Sequence, residues 1–134
     1  MRTALLALTL ATWTTLAEAA DTPAPAPITG AILQGLDKIT ARVSRFDAPL
    51  GREVTFGKLL ITVKDCRKHP PEETPEAAAW LDINVLKPGA SGPEHLFSGW
   101  MFASSPAISA LEDPIYDIWV VDCSTATTSP GKSG

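Results

Sequence analysis

The sequence predicts an all-β domain: a small antiparallel β-sandwich or barrel with one or two short helices and one disulfide. Three observations predict it. Short segments alternate apolar and polar residues at a period of two, with Gly- and Pro-based turn chemistry between them. These segments never alternate with long amphipathic patterns, as a βαβ fold would require. Finally, Cys66 and Cys123 are the only cysteines, in a chain that opens like an exported protein. An even pair in a small exported domain reads as one disulfide. A reactive or metal-binding thiol pair is the weaker reading, because the two have no CxxC spacing.

Taken in order, residues 1–20 have the layout of a secretory signal peptide. Arg2 supplies a positive charge, residues 4–16 are mostly apolar, and Ala17-Glu18-Ala19 places small residues at a cleavage site. The apolar run is shorter than the roughly 20 residues a bilayer core demands. The expectation is therefore a periplasmic or secreted protein with no stable membrane insertion after cleavage. Residues 21–29 include Thr-Pro-Ala-Pro-Ala-Pro and read as an extended linker. Residues 30–123 form the single β domain, and the Ser-, Thr- and Gly-rich residues 124–134 read as a disordered tail.

Within the domain, residues 31–36 and 41–46 are the first two strand candidates, followed by a turn at Ala48-Pro49-Leu50-Gly51. Residues 52–56 give a brief third strand. Gly57-Lys58 links it to Leu59–Lys68, where Leu59, Ile61 and Val63 alternate with Leu60, Thr62 and Lys64. In the next strand Leu81, Ile83 and Val85 alternate with Trp80, Asp82 and Asn84. Residues 96–103 and 115–123 complete the set and hold most of the aromatic side chains. Trp100, Phe102 and Trp119 are expected in the core. The last strand is apolar on both faces, which predicts a central position covered on both sides and tied by the disulfide to Leu59–Lys68. Ser105-Pro106 predicts a short helix over residues 107–112, with Ser capping it and Pro114 ending it. A second short helix fits around residues 76–79.

Composition narrows function mainly by exclusion. Eleven basic residues against fifteen acidic ones leave a net charge of −4. That balance lacks the electrostatic footprint of a nucleic-acid binder and the polybasic patch of a lipid binder. No Gly-rich phosphate loop, dinucleotide fingerprint or haem motif is present, so no cofactor is expected. No Gly-x-Ser-x-Gly elbow occurs, and no catalytic residue is nominated. His69-Pro70-Pro71-Glu72-Glu73-Thr74-Pro75-Glu76 groups carboxylates beside an imidazole. Glu72 and Glu73 there are candidates for binding, but no second ligand cluster supports a metal site, and a Pro-stiffened solvated loop explains the composition. Trp80 is the stronger candidate. It shares a strand face with Asp82 and Asn84, and a Trp beside polar groups is a common recognition surface.

The runs Gln34-Gly35-Leu36-Asp37-Lys38-Ile39-Thr40, Phe46-Asp47-Ala48-Pro49, Cys66-Arg67-Lys68 with Pro70-Pro71-Glu72-Glu73-Thr74-Pro75-Glu76, Gly99-Trp100-Met101-Phe102-Ala103-Ser104-Ser105-Pro106-Ala107, and Tyr116-Asp117-Ile118-Trp119 occur in that order. In this they resemble the domain of unknown function 2155 family of exported alphaproteobacterial proteins. The resemblance implies an exported single domain and brings no assigned activity. The functional expectation is a non-enzymatic binding or accessory module with a protein partner in the cell envelope, on an envelope or membrane protein complex. The alternatives are a small cell-wall-directed hydrolase and a glycan-binding domain.

Overall fold

Alternation is the rule that builds this chain, and two breaks in it decide how the layers join. The computed structural model describes residues 25–126. The strands are β1 (Ile28–Asp37), β2 (Arg42–Pro49), β3 (Glu53–Phe56), β4 (Leu59–Lys68), β5 (Ala77–Val85), β6 (Glu94–Phe102), β7 (Leu111–Glu112) and β8 (Tyr116–Thr125), with one helical turn, α1 (Pro106–Ser109), before β7. They form two four-stranded sheets, ordered β2-β1-β8-β7 and β3-β4-β5-β6, and every neighbouring pair is antiparallel. The architecture is a sandwich. The expected signal peptide, residues 21–24 of the expected linker and residues 127–134 of the expected tail lie outside the described residues.

The core is the set of inward positions. Leu33, Leu59, Ile61, Val63, Leu81, Ile83, Met101, Ile118 and Val120 are fully buried. Burial in β5 alternates without a break, from Ala77 through Ala79, Leu81 and Ile83 to Val85. The disulfide breaks this rule twice. In β4 the register slips between Val63 and Asp65, so Lys64 is an extra residue. In β8 it slips between Val120 and Asp122, so Val121 is extra. A bulge adds one residue and exchanges the faces of everything after it. Cys66 therefore shares the inner face with Val63, and Cys123 with Val120; each is 3% exposed. Their Cα atoms are 5.9 Å apart and the bond links β4 of one sheet to β8 of the other, as expected.

Aromatic rings pack between the sheets on the β3 side. Phe46 stacks on Phe56 at 5.4 Å, and Phe56 meets Tyr116 edge-on at 5.8 Å. Two glycines make the room. A Cβ on Gly35 would stand 2.6 Å from the Phe56 ring. Gly57, at φ +57°, bears the Tyr116 ring, whose hydroxyl accepts a hydrogen bond from the Lys58 N–H at 3.3 Å.

Several expectations need correction. Residues 77–79 open strand β5 rather than a helix, because Lys68, Arg67 and Cys66 pair with Ala77, Ala78 and Ala79; strand pairing overrides the helix preference of alanine. The helix after Ser105 covers Pro106–Ser109 only, and Leu111–Glu112 is strand. Ser105 occupies the cap position, but its side chain makes no capping bond. Ala48 and Pro49 belong to β2, with the turn at Leu50 and Gly51. β1 opens at Ile28 and β8 runs to Thr125, each two residues beyond the expected domain limits. Trp100 and Phe102 are not core residues: Met101 takes the inner position in β6, which turns its neighbours outward. Trp119 likewise lies half-buried between inward Ile118 and Val120. β8 is central in its sheet, as expected, but its outer face is covered only in part: Asp117 and Trp119 are half-buried there, beside Pro106 and Ala110.

Two measurements follow. The disulfide spans 57 positions, and a loop of that length is worth about 4 kcal/mol in chain entropy. Urea denaturation of the oxidised protein and of a Cys66→Ala/Cys123→Ala variant should differ by about that amount. Gly35→Ala should cost about 1–3 kcal/mol through overpacking against Phe56. Combining it with Phe56→Leu should cost less than the sum of the two single changes, because they share one contact.

Candidate functional site

The residues that alternation turns away from the core of the second sheet form one continuous outer face. Pairing sets them in rows across β4, β5 and β6: Arg67, Ala78 and Phe102; Asp65, Trp80 and Trp100; Thr62, Asp82 and Ser98. Trp80 and Trp100 are thus direct cross-strand neighbours. Their rings meet edge to face, with centroids 5.8 Å apart and planes at 86°, the geometry favoured by the aromatic quadrupole. Small Ala78 lets Arg67 lean diagonally, and its guanidinium carbon sits 5.5 Å from the centre of the Trp100 ring. Arg67 Nε also donates to Asp65 at 2.9 Å, which steers the guanidinium. Phe102 extends the aromatic surface and is 43% exposed.

Polar groups rim this pair on one side. Asp82 accepts a hydrogen bond from the Ser98 hydroxyl and lies 3.7 Å from the Lys64 ammonium. In the next row His95 Nδ1 is 3.3 Å from Asn84 Oδ1. The expected grouping of Trp80, Asp82 and Asn84 on one face of β5 is present, and all three are half-buried. Sequence reasoning missed Trp100, Phe102 and Arg67 as members of the face. Bulk and hydrophobicity favoured Trp100 and Phe102 for the inner side of β6, but Phe97 and Met101 alternate with them and Met101 takes it. Arg67 reaches the outer face only because Lys64 is bulged.

Glu72 and Glu73 belong elsewhere. Glu73 faces His69 at 3.7 Å inside its own loop, which also holds the His69 ring against the Thr74 carbonyl at 2.9 Å. Glu72 lines a groove of about 600 Å³ with Pro25, Ile28, Pro70, Pro71 and Thr125, on the side of the loop that faces the first sheet. Among the described residues, no group of three or more His, Cys, Asp or Glu side chains is arranged to hold a metal ion.

Glu76 anchors the start of β5 to the turn after β6. Its carboxylate accepts from the Ser104 hydroxyl, from the Ser104 N–H at 3.1 Å and from the Ala77 N–H at 3.0 Å. The Ser104 hydroxyl, opposed in part by desolvation, is the main reason its pKa falls below the usual glutamate value; the two backbone N–H groups and nearby His69 add to the effect. Ser104 thereby has a structural role, as a tie between two strand ends. Beyond this tie lies a groove of about 300 Å³ reaching the Lys68–Asp122 ion pair at 3.0 Å.

A family model described as an uncharacterized protein conserved in bacteria (DUF2155) matches residues 31–123. That span contains the whole aromatic face and both cysteines. The chain is also 34% identical over 88 residues to the uncharacterized protein RP359 of Rickettsia prowazekii (strain Madrid E). The match covers 66% of this chain and 56% of the relative, so the chain spans little more than half of the relative's length. No solved structure matches the chain significantly.

The Glu76 tie carries a pH dependence of definite sign. A carboxyl whose folded pKa is lowered stabilises the fold above its unfolded pKa, and that contribution is lost as pH falls through the folded value. Ser104→Ala removes the main cause. Thermal melts of the two proteins should therefore differ at about pH 7 and converge on acidification through and below the carboxylate range.

Proposed function

Since the chain belongs to the DUF2155 family of uncharacterized bacterial proteins, a membership that brings no activity with it, we propose that it is a non-enzymatic recognition module. Its binding surface is the outer face of the second sheet. One observation carries the reading: Trp80 and Trp100 stand edge to face on a solvent-facing sheet, flanked by Arg67, Asp82 and Asn84. Tryptophan and arginine are the residues most enriched at binding hot spots. A half-exposed pair of large rings is a cost to a free domain and a gain to one that meets a partner. The polar rim of Asp82, Ser98, Asn84 and His95 supplies directional contacts around that apolar centre.

The partner is a protein of the cell envelope. A formed disulfide suits an oxidising compartment outside the cytoplasm, in keeping with the leader-like residues 1–20 and a periplasmic location. No helix among the described residues is long and apolar enough to cross a membrane.

Trp80→Ala should leave the domain folded. Loss of the ring pair costs about 0.5–1.5 kcal/mol of stability, while affinity for the partner falls by about 2 kcal/mol or more. Capture from solubilised envelope, with circular dichroism as the folding control, measures both. Unchanged capture by a folded Trp80→Ala protein would reject this face. Co-sedimentation with purified cell-wall sacculi in place of protein capture would favour the glycan-binding alternative.

A further inference from the structure

The aromatic face ends at β6, which is an edge strand, and its backbone is set up to pair again. In an antiparallel ladder, the N–H and C=O of one residue point to the same side, and successive residues alternate. The Ala103 N–H donates to the Ala77 carbonyl at 2.8 Å, toward β5. Phe102 points the other way. Its N–H donates to the Ser109 hydroxyl at 3.0 Å, and its carbonyl accepts from the Ser105 N–H at 3.1 Å. Register is unbroken from Phe102 back to Ser98, so Trp100 and Ser98 also aim their N–H and C=O groups away from β5. No strand pairs with that side of β6 among the described residues.

The other edges carry the usual protections. β3 has four residues. β2 carries Arg42 and Arg45 and ends in Pro49. β8 is paired by β7 at Ile118 and Asp117 and is bulged at Val121. In β6 the bulge falls at Leu96, and from Phe97 to Phe102 the strand has no Lys, Arg, Pro or other charged residue. A long, uncharged, unbulged edge is a template for another strand. The space beside it is also open: a Cβ built on inward-facing Gly99 would meet nothing closer than the Phe97 ring at 3.5 Å.

We propose that β6 is a strand-addition site, which binds an extended polypeptide segment of the partner through the main chain of Ser98 and Trp100. This rests on the recognition reading above and names the form its partner takes. A single row of donors and acceptors repeating at every second residue is matched by another extended backbone. The segment carries an aromatic or long apolar side chain on the outer face against Trp100. An adjacent aliphatic residue turns inward over Gly99. A second copy of this chain is a poor occupant. Antiparallel pairing of two β6 strands about Gly99 would drive residues 94–96 of one copy onto the edge at Phe102 that α1 of the other holds through Ser109. A free peptide can turn away before α1.

The test uses the full disulfide-bonded chain and a display library of random ten-residue peptides. Enriched peptides should share an aromatic next to an aliphatic residue. In the free protein the Ser98 and Trp100 amides should exchange quickly with solvent while Gly99 and Met101 exchange slowly. A bound peptide should slow the first two. Ser98→Pro deletes one outward N–H and leaves the β5 ladder intact, since proline is tolerated at such edge positions. It should weaken peptide binding by about tenfold or more relative to Ser98→Ala, which loses the same hydroxyl but keeps the N–H. The inference is overturned by a library that enriches nothing, by Ser98→Pro binding peptide as well as Ser98→Ala, by slow exchange at Ser98 and Trp100 in the free monomer, or by a dimer that Ser98→Pro dissociates. Exchange on the unmodified protein decides the matter if Ser98→Pro does not fold. Loss of binding in Trp80→Ala but not in Ser98→Pro would keep the aromatic face and remove the strand addition; loss in Ser98→Pro alone would do the reverse.

Discussion

Two extra residues, Lys64 and Val121, hold the architecture together by changing which way their neighbours point. A strand without a bulge would place Cys66 on the face opposite Val63 and Cys123 on the face opposite Val120. The cross-link between the sheets exists because both strands slip by one at matching heights. The slip in β4 has a second effect, on the other side of the sheet. It sends Asp65 and Arg67 outward, and Arg67 thereby reaches Trp100. One irregularity thus serves both the covalent clamp inside and the cation over the aromatic pair outside, which is the kind of re-aiming that bulges provide.

The clamp has a noncovalent counterpart. Phe46, Phe56 and Tyr116 pack ring on ring, bringing one aromatic each from β2, β3 and β8. Gly35 and Gly57 give those rings their seats. The sandwich is therefore joined across its layers by a covalent bond between β4 and β8 and by an aromatic stack between β3 and the first sheet. Between them lies an aliphatic core of modest size, and a domain this small has little apolar burial to spare.

Much of this was legible in the sequence, for reasons that also explain the misses. The period-two pattern of β4 and β5 identified both strands and the face that Trp80 shares with Asp82 and Asn84, because one side of each is cleanly apolar. The cysteine pairing was legible because no other partner existed. In β6 both sides carry apolar residues, so the larger rings of Trp100 and Phe102 wrongly suggested the inner side that Met101 takes. Strand register decided that, and register depends on partners distant in sequence. The bulges left no local signal, so the outward turn of Arg67 was hidden. Ala77 to Ala79 read as helix because alanine favours it, and pairing with Lys68, Arg67 and Cys66 prevailed. Glu72 and Glu73 lie only a few residues before Trp80 in the sequence, yet their loop turns Glu72 toward the first sheet and Glu73 back to His69.

The pairing of β1 with β8 has a consequence in time. These strands lie side by side along nearly their whole lengths, yet one opens the domain and the other closes it. A chain delivered N-terminus first, from a ribosome or through a translocation channel, must hold β1 with only the β2 hairpin for company until β8 arrives. The second sheet, built from the consecutive strands β3 to β6, can assemble in the meantime. Nonlocal closure of this kind slows folding. It would also keep the domain incomplete during any passage through a narrow pore, where a finished sandwich would jam. Cys66 has a single possible mate, so the late closure allows no mispaired intermediate within the chain.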